Sequence, residues 1–132
     1  MNPYEVRPGP GTGCPGGRPL QVTATSAATA HTLHTIAEAD AVDKVWVEGW
    51  NSAERPHPLF LVISPAGTSG AQLTAATIVA ELPHRTPYEL LGAHALQQIA
   101  GGPYAIGVYT DADGAGNVAV TCTVTRFPTG GL

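Results

Sequence analysis

Charge is what this sequence lacks most. Asp, Glu, Lys and Arg make up only 12% of its 132 residues, about half of the roughly 25% usual in soluble domains. A free monomer ordinarily solvates its surface with charge, so the shortage implies a surface partly covered by neighbouring subunits. The alternative is an extracellular β domain whose surface is Thr, Ser and Gly. Cations are scarcer still. Six Lys and Arg against ten Asp and Glu leave a formal net charge of -4, and the six are scattered. Phosphate recognition needs clustered cations, which argues against nucleic acid as a direct partner.

Other absences narrow the reading further. No apolar run approaches the ~20 residues of a membrane span, and Met1 to Leu20 holds no apolar h-region. The expectation is a chain made in the cytoplasm with no membrane partner. Of the two cysteines, Cys14 falls in a Gly/Pro-rich segment and Cys122 in a Thr/Val strand. Nothing predicted holds one against the other, so both read as thiols and no disulfide is expected. At this length the chain is one domain, able to bury most of its unfolded surface without such a staple.

Catalytic motifs are missing as well. His31 and His34 lie three apart, which in a strand puts them on opposite faces, so they read as ordinary polar strand residues that do not share a metal. Asp111, Asp113 and Asn117 in DADGAGN have a calcium-loop flavour, but the glycine comes too early and no acid closes the loop. A solvated hairpin turn is the better reading. In Gly67-Thr68-Ser69-Gly70-Ala71 the second glycine of a nucleophile elbow is absent. The segment GPGTGCPGG lacks the Gly-Lys-Ser/Thr ending and the preceding strand of a phosphate loop. The expectation is a protein that is not an enzyme, with no catalytic residues, no cofactor and no metal.

What is present is alternation. Lys44 to Ser64, KVWVEGWNSAERPHPLFLVIS, reads as a hairpin on which the rest packs. Val45, Val47 and Gly49 form one strand face, and Trp46, Glu48 and Trp50 the other. Leu59 to Ile63, flanked by Pro58 and Pro65, has the length of a strand covered on both faces. Asn51 to Pro56 supplies turn chemistry between them. Trp46 and Trp50 are candidates for core or interface contact, or for a sugar-stacking platform.

The flanking segments extend the pattern. Met1 to Pro19 is too rich in Pro and Gly for a helix or central strand and reads as an extended arm, with Tyr4, Val6 and Leu20 as its possible anchors. Leu20 to Ile36 gives two short Thr-rich strands around a small-residue bend. Ala37 to Asp43 reads as a loop feeding the hairpin. Gln72 to Leu82 alternates as a strand ended by Pro83. Within Tyr88 to Ala100, Tyr88 to Leu91 reads as a strand with a loop behind it, and there is room for one helical turn at Ala93 to Gln98. Tyr104 to Thr110 and Asn117 to Phe127 flank DADGAG and read as a second hairpin, with Val118, Val120, Cys122 and Val124 on the buried face. Seven or eight strands at regular spacing make the fold all-β, a single β-sandwich or jelly roll over residues 20–128, with the arm before it and a short tail at 129–132.

The arm, TATSAATAHTLHT, DKVWVEGWNSAERPHPLFLVIS and the last strand ending TVTRF together resemble the small β-sandwich virion structural proteins of tailed bacteriophages. Those include head decoration or cement proteins and head-fibre or minor tail components. The likeness is one of cadence and covers about Thr23 to Phe127, with Tyr88 to Gly102 fitting least. It implies a non-enzymatic virion protein on the outside of the head, a homo-oligomer whose partners are the major capsid protein and neighbouring copies. Its interface candidates are Tyr4, Val6, Leu20, Trp46 and Trp50. The alternative within the same resemblance is a receptor- or glycan-binding module of a tail or head fibre.

Overall fold

Val, Thr and Ile branch at Cβ and fit the pleat better than a helix, and the segments rich in them are strands throughout. The computed structural model describes residues 7–8, 19–36, 41–65, 73, 78–97 and 104–128. In order these form β1 (Arg7–Pro8), β2 (Leu20–Thr23), β3 (His31–Ile36), β4 (Ala41–Asn51), β5 (His57–Pro65), β6 (Ile78–Leu82), β7 (Tyr88–Gln97), β8 (Tyr104–Thr110) and β9 (Val118–Pro128), with a 3-10 turn at Ala27–Thr29. Tyr4, Val6, Cys14 and the tail lie outside the described residues.

The strands divide into two antiparallel sheets. One runs β2, β9, β4, β7, with the two-residue β1 beside the far end of β9; the other runs β3, β8, β5, β6. From β2 to β9 this is the winding of a jelly roll, so the all-β sandwich expected from the alternation is the fold observed. Between the sheets lies one core. Val45 and Val47 of β4, Leu59 and Leu61 of β5, Ile106 and Val108 of β8 and Val118, Val120, Cys122 and Val124 of β9 fill it, joined by Leu33, Leu82 and Leu91. Burying each large aliphatic side chain stabilises the fold by about 1.5–3 kcal/mol before entropy is counted.

Several elements differ from their sequence reading. Lys44 to Ser64 is not a hairpin, because β4 and β5 belong to different sheets. Asn51 to Pro56 is instead a corner that carries the chain across the end of the sandwich. The same holds for β8 and β9, which DADGAG joins as an arch. β4 pairs with β9 from Ala41↔Pro128 to Asn51↔Val118, and β5 with β8 from Leu59↔Thr110 to Pro65↔Tyr104. The proposed loop at Ala37 to Asp43 gives way to strand from Ala41, which takes Asp43 into the interior. The helical turn allowed at Ala93 to Gln98 is absent, for β7 continues as strand to Gln97 on the open edge of β4. β6 begins only at Ile78, and Leu73, outside any strand, is fully buried.

Leu73 defines a difference between the two outer faces. It packs with Ala30, Val62 and Tyr109, against which Ala27 and Phe60 also lie, in a second small core on the outside of the β3-β8-β5-β6 sheet. Phe60 and Tyr109 stack there with ring centroids 4.6 Å apart and 15° between planes, an offset-stacked separation favourable beyond area alone. The outer face of the other sheet carries a different set of side chains.

Candidate functional site

β4 exposes every second residue away from the core. Its even positions Lys44 and Trp46 are half-buried, while Glu48 and Trp50 are exposed, with Trp50 at 39%. Registration fixes their neighbours: Trp46 lies opposite Thr123 of β9, Glu48 opposite Thr121 and Trp50 opposite Ala119. On the far side of β9, Gln21 of β2 lies opposite Thr121, and its amide donates to the Thr121 hydroxyl at 3.5 Å. The result is three rows across the sheet. Gln21, Thr121 and Glu48 form a polar row, flanked by Trp46 with Thr123 on one side and Trp50 with Ala119 on the other. Two shallow depressions adjoin along it. One, of about 300 Å³, is lined by Trp46, Glu48, Thr121, Thr123 and Thr125. The second, of about 270 Å³, includes Gln21, Glu48, Trp50, Pro87, Ala119 and Thr121. Glu48 and Thr121 belong to both.

A second polar region closes one end of the sandwich, where the corner after β4 meets the arch before β9. Asn51 is fully buried. Its amide donates to the carbonyls of Arg55 at 2.8 Å and Leu82 at 3.1 Å, and its Oδ1 accepts from the Ala53 amide at 3.0 Å. His84 Nδ1 donates to the Ala53 carbonyl, and Arg85, held at φ 47, donates its backbone N–H to the Asn51 carbonyl at 2.8 Å. In the arch, Asp111 Oδ1 accepts from the Gly114 amide at 2.6 Å and from His57 Nδ1 at 3.2 Å. Gly116 takes φ +87, which a residue without Cβ adopts freely. Thr110 donates its hydroxyl to the Pro58 carbonyl at 2.6 Å. Arg55 and Asp113 pair at 3.1 Å but are about seven-tenths exposed, so the bridge contributes little. An open hollow of about 630 Å³ lies over Glu54, Arg55, His57, Asp113 and Asn117. The contacts of Asn51, Thr110 and Asp111 tie the corner and the DADGAG arch to the rest of the fold, so that DADGAG bridges the two sheets where a hairpin turn was expected.

A third polar contact crosses the core. His34 of β3 and Asp43 of β4 approach to 2.8 Å with their side chains 0% and 1% exposed, linking the two sheets. His34 is a polar residue of a strand, and it is buried because β3 shifts register between Thr32 and His34, so that Leu33 and His34 are buried in succession. Strict alternation cannot reveal such a bulge. Among the described residues no group of three or more His, Cys, Asp or Glu is arranged to hold a metal ion.

Of the interface candidates, Trp46 and Trp50 come together on one sheet face. Leu20 lies opposite Cys122 and packs, half-buried, against the main core. Sequence reasoning missed the bond from Asn51 to Leu82 and the His57–Asp111 contact, which join segments distant in sequence, and the His34–Asp43 pair, which joins strands of different sheets. It also missed Leu73, read as one member of a strand.

No protein-family model and no curated protein matches the chain. Among solved structures the chain is similar to one from Bacillus endospore appendages, described as a family of disulfide-linked pili. The two share 12% identity and a TM-score of 0.48, over 83% of this chain and 84% of that one. A likeness of that size carries no functional weight.

Proposed function

We propose that the protein is a non-enzymatic structural protein of a tailed-phage virion, a decoration or cement protein seated on the outside of the head shell. Its partners are the major capsid protein and neighbouring copies, which it contacts through the segment 1–19. The observation that carries this reading is the placement of β1. Arg7 and Pro8 pair with Arg126 and Thr125 at the end of β9, beyond the stretch covered by β2. Arg7 and Pro8 thus add to an edge of the chain's own sheet, and the same main-chain pairing, which needs no charge, is the mode by which we infer that the segment attaches to the edge of a neighbour. That matches a chain in which only 12% of residues are charged. The resemblance of the sequence to small virion β-sandwiches supports the same conclusion.

The test is compositional. Heads purified free of tails should contain this protein in many copies, detected by quantitative mass spectrometry against the major capsid protein. Its absence from tail-free heads, with recovery in the tail fraction, overturns the head assignment.

A further inference from the structure

We propose that the outer face of the β2-β9-β4-β7 sheet is a carbohydrate-binding site that takes an uncharged oligosaccharide, with Trp50 as its stacking platform. A pyranose ring offers an apolar C–H face and a rim of hydroxyls. It is held where an aromatic plane lies beside acceptors and donors that reach that rim. Trp50 is 39% exposed although indoles are usually well covered. Its cross-strand neighbour is Ala119, whose small side chain does not overhang the ring. One row away stand Glu48, Thr121 and Gln21, a carboxylate, a hydroxyl and an amide. A carboxylate accepts from two adjacent sugar hydroxyls at once, while Thr121 and Gln21 donate as well as accept. Trp46, four residues from Trp50, lies about 13 Å along the strand, so the site is elongated and suits a chain of rings.

The electrostatics narrow the ligand. Glu48 lies opposite Glu89 of β7 in the sheet register, and both are exposed. Two carboxylates beside the platform disfavour sialic and uronic acids by like-charge repulsion, leaving neutral sugars. The composition of the face also separates a sugar from a protein partner. Stable protein interfaces have apolar cores, whereas between the two indoles this face presents Glu48, Thr121 and Gln21. The inference goes beyond the head-protein reading and does not depend on it, since binding is measured on the isolated chain.

The experiment titrates the full chain with cellohexaose, maltohexaose, mannohexaose and chitohexaose, with a polysialic acid oligomer as the acidic control, by calorimetry and tryptophan fluorescence. At least one neutral hexasaccharide should bind with a Kd below about 1 mM. Trp50→Ala should weaken it by about tenfold or more, Trp50→Phe should restore part of the loss, and the acidic control should not bind. Val79→Ala, at an exposed residue of the other sheet, should leave affinity unchanged. Far-ultraviolet spectra and melts of each variant establish that the fold is retained. The proposal is overturned if none of the four neutral sugars binds at about 10 mM, or if Trp50→Ala binds as the parent does. It is equally overturned if Trp50→Ala abolishes a concentration-dependent dimer while no sugar binds, which assigns the face to a second copy of the chain.

Discussion

Asn51 shows how one side chain sets the path of the chain. Its amide spans two carbonyls, one in its own corner and one at the end of β6, while its Oδ1 holds the amide of Ala53. Asn51→Ala removes all three contacts, of which the bond to the Leu82 carbonyl is buried and the other two are part-buried. A buried polar group left without a partner costs about 1–3 kcal/mol, so the variant should lose roughly 2–4 kcal/mol in a denaturant melt. Asn51→Asp keeps the acceptor but sets a buried carboxylate oxygen against the Arg55 and Leu82 carbonyls, and should lose at least as much as Asn51→Ala at neutral pH. A loss below about 0.5 kcal/mol for Asn51→Ala would mean that the corner is held by other contacts. Residues of this kind were only half legible in the sequence. Asn51 announced a turn, since Asx side chains favour one, but its bond to Leu82 joins positions 31 apart and has no local signature. Trp46 and Trp50 were fully legible as partners on one face, because a period of two is a local property.

At the scale of elements, the strands were legible and their pairing was not. A polar loop of about six residues serves a hairpin or an arch equally well, so NSAERP and DADGAG each fitted both. The information that decides between them lay in the faces. β8 is buried at every position from Ala105 to Thr110, and β5 likewise hides both faces over much of its length, whereas β4 and β9 alternate buried with partly exposed positions. Strands in one sheet share their covers, so β5 belongs with β8 and β4 with β9. The second cover of β8 is supplied by Leu73, which closes over Gly107. A Cβ at Gly107 would overlap Leu73 Cδ1 and stand 3.1 Å from the His31 carbonyl. Gly107→Ala should therefore destabilise by about 1–3 kcal/mol, the usual cost of overpacking. The double variant Gly107→Ala with Leu73→Ala should lose less than the sum of the two single changes, because the smaller side chain admits the new methyl. Strict additivity in thermal melts would show that Leu73 does not cap this position. The alternation over Gln72 to Leu82 gives no sign that Leu73 covers the outside of a sheet, whereas Ile78–Leu82 is a strand.

For the whole molecule, the segment 1–19 is the part on which the head-protein reading stands or falls. It contains Tyr4 and Val6 as its only large apolar side chains apart from Met1, and fixing its backbone costs roughly 1–2 kcal/mol per residue, lowered locally by its prolines. The β1 pairing at Arg7 and Pro8 offsets a small part of that. The main core, by contrast, is built from β2 to β9. Deleting residues 2–18 should therefore move the melting temperature by no more than about 4 °C, the shift expected for a change near 1 kcal/mol in a domain of this size. Attachment should suffer far more. An arm that orders on a neighbour couples its ordering to binding, so removing it takes away contacts made only in the assembled particle. Heads lacking the protein, mixed with parent or truncated chain and washed, provide the measurement. The truncated domain should leave most sites empty at concentrations where the parent fills them. Full occupancy by the truncated domain would transfer the attachment to the sheet surfaces. Unfolding of the truncated domain at room temperature would instead make the arm part of the fold, with the pairing of Arg7 and Pro8 on the chain's own β9 as a strand that the domain needs.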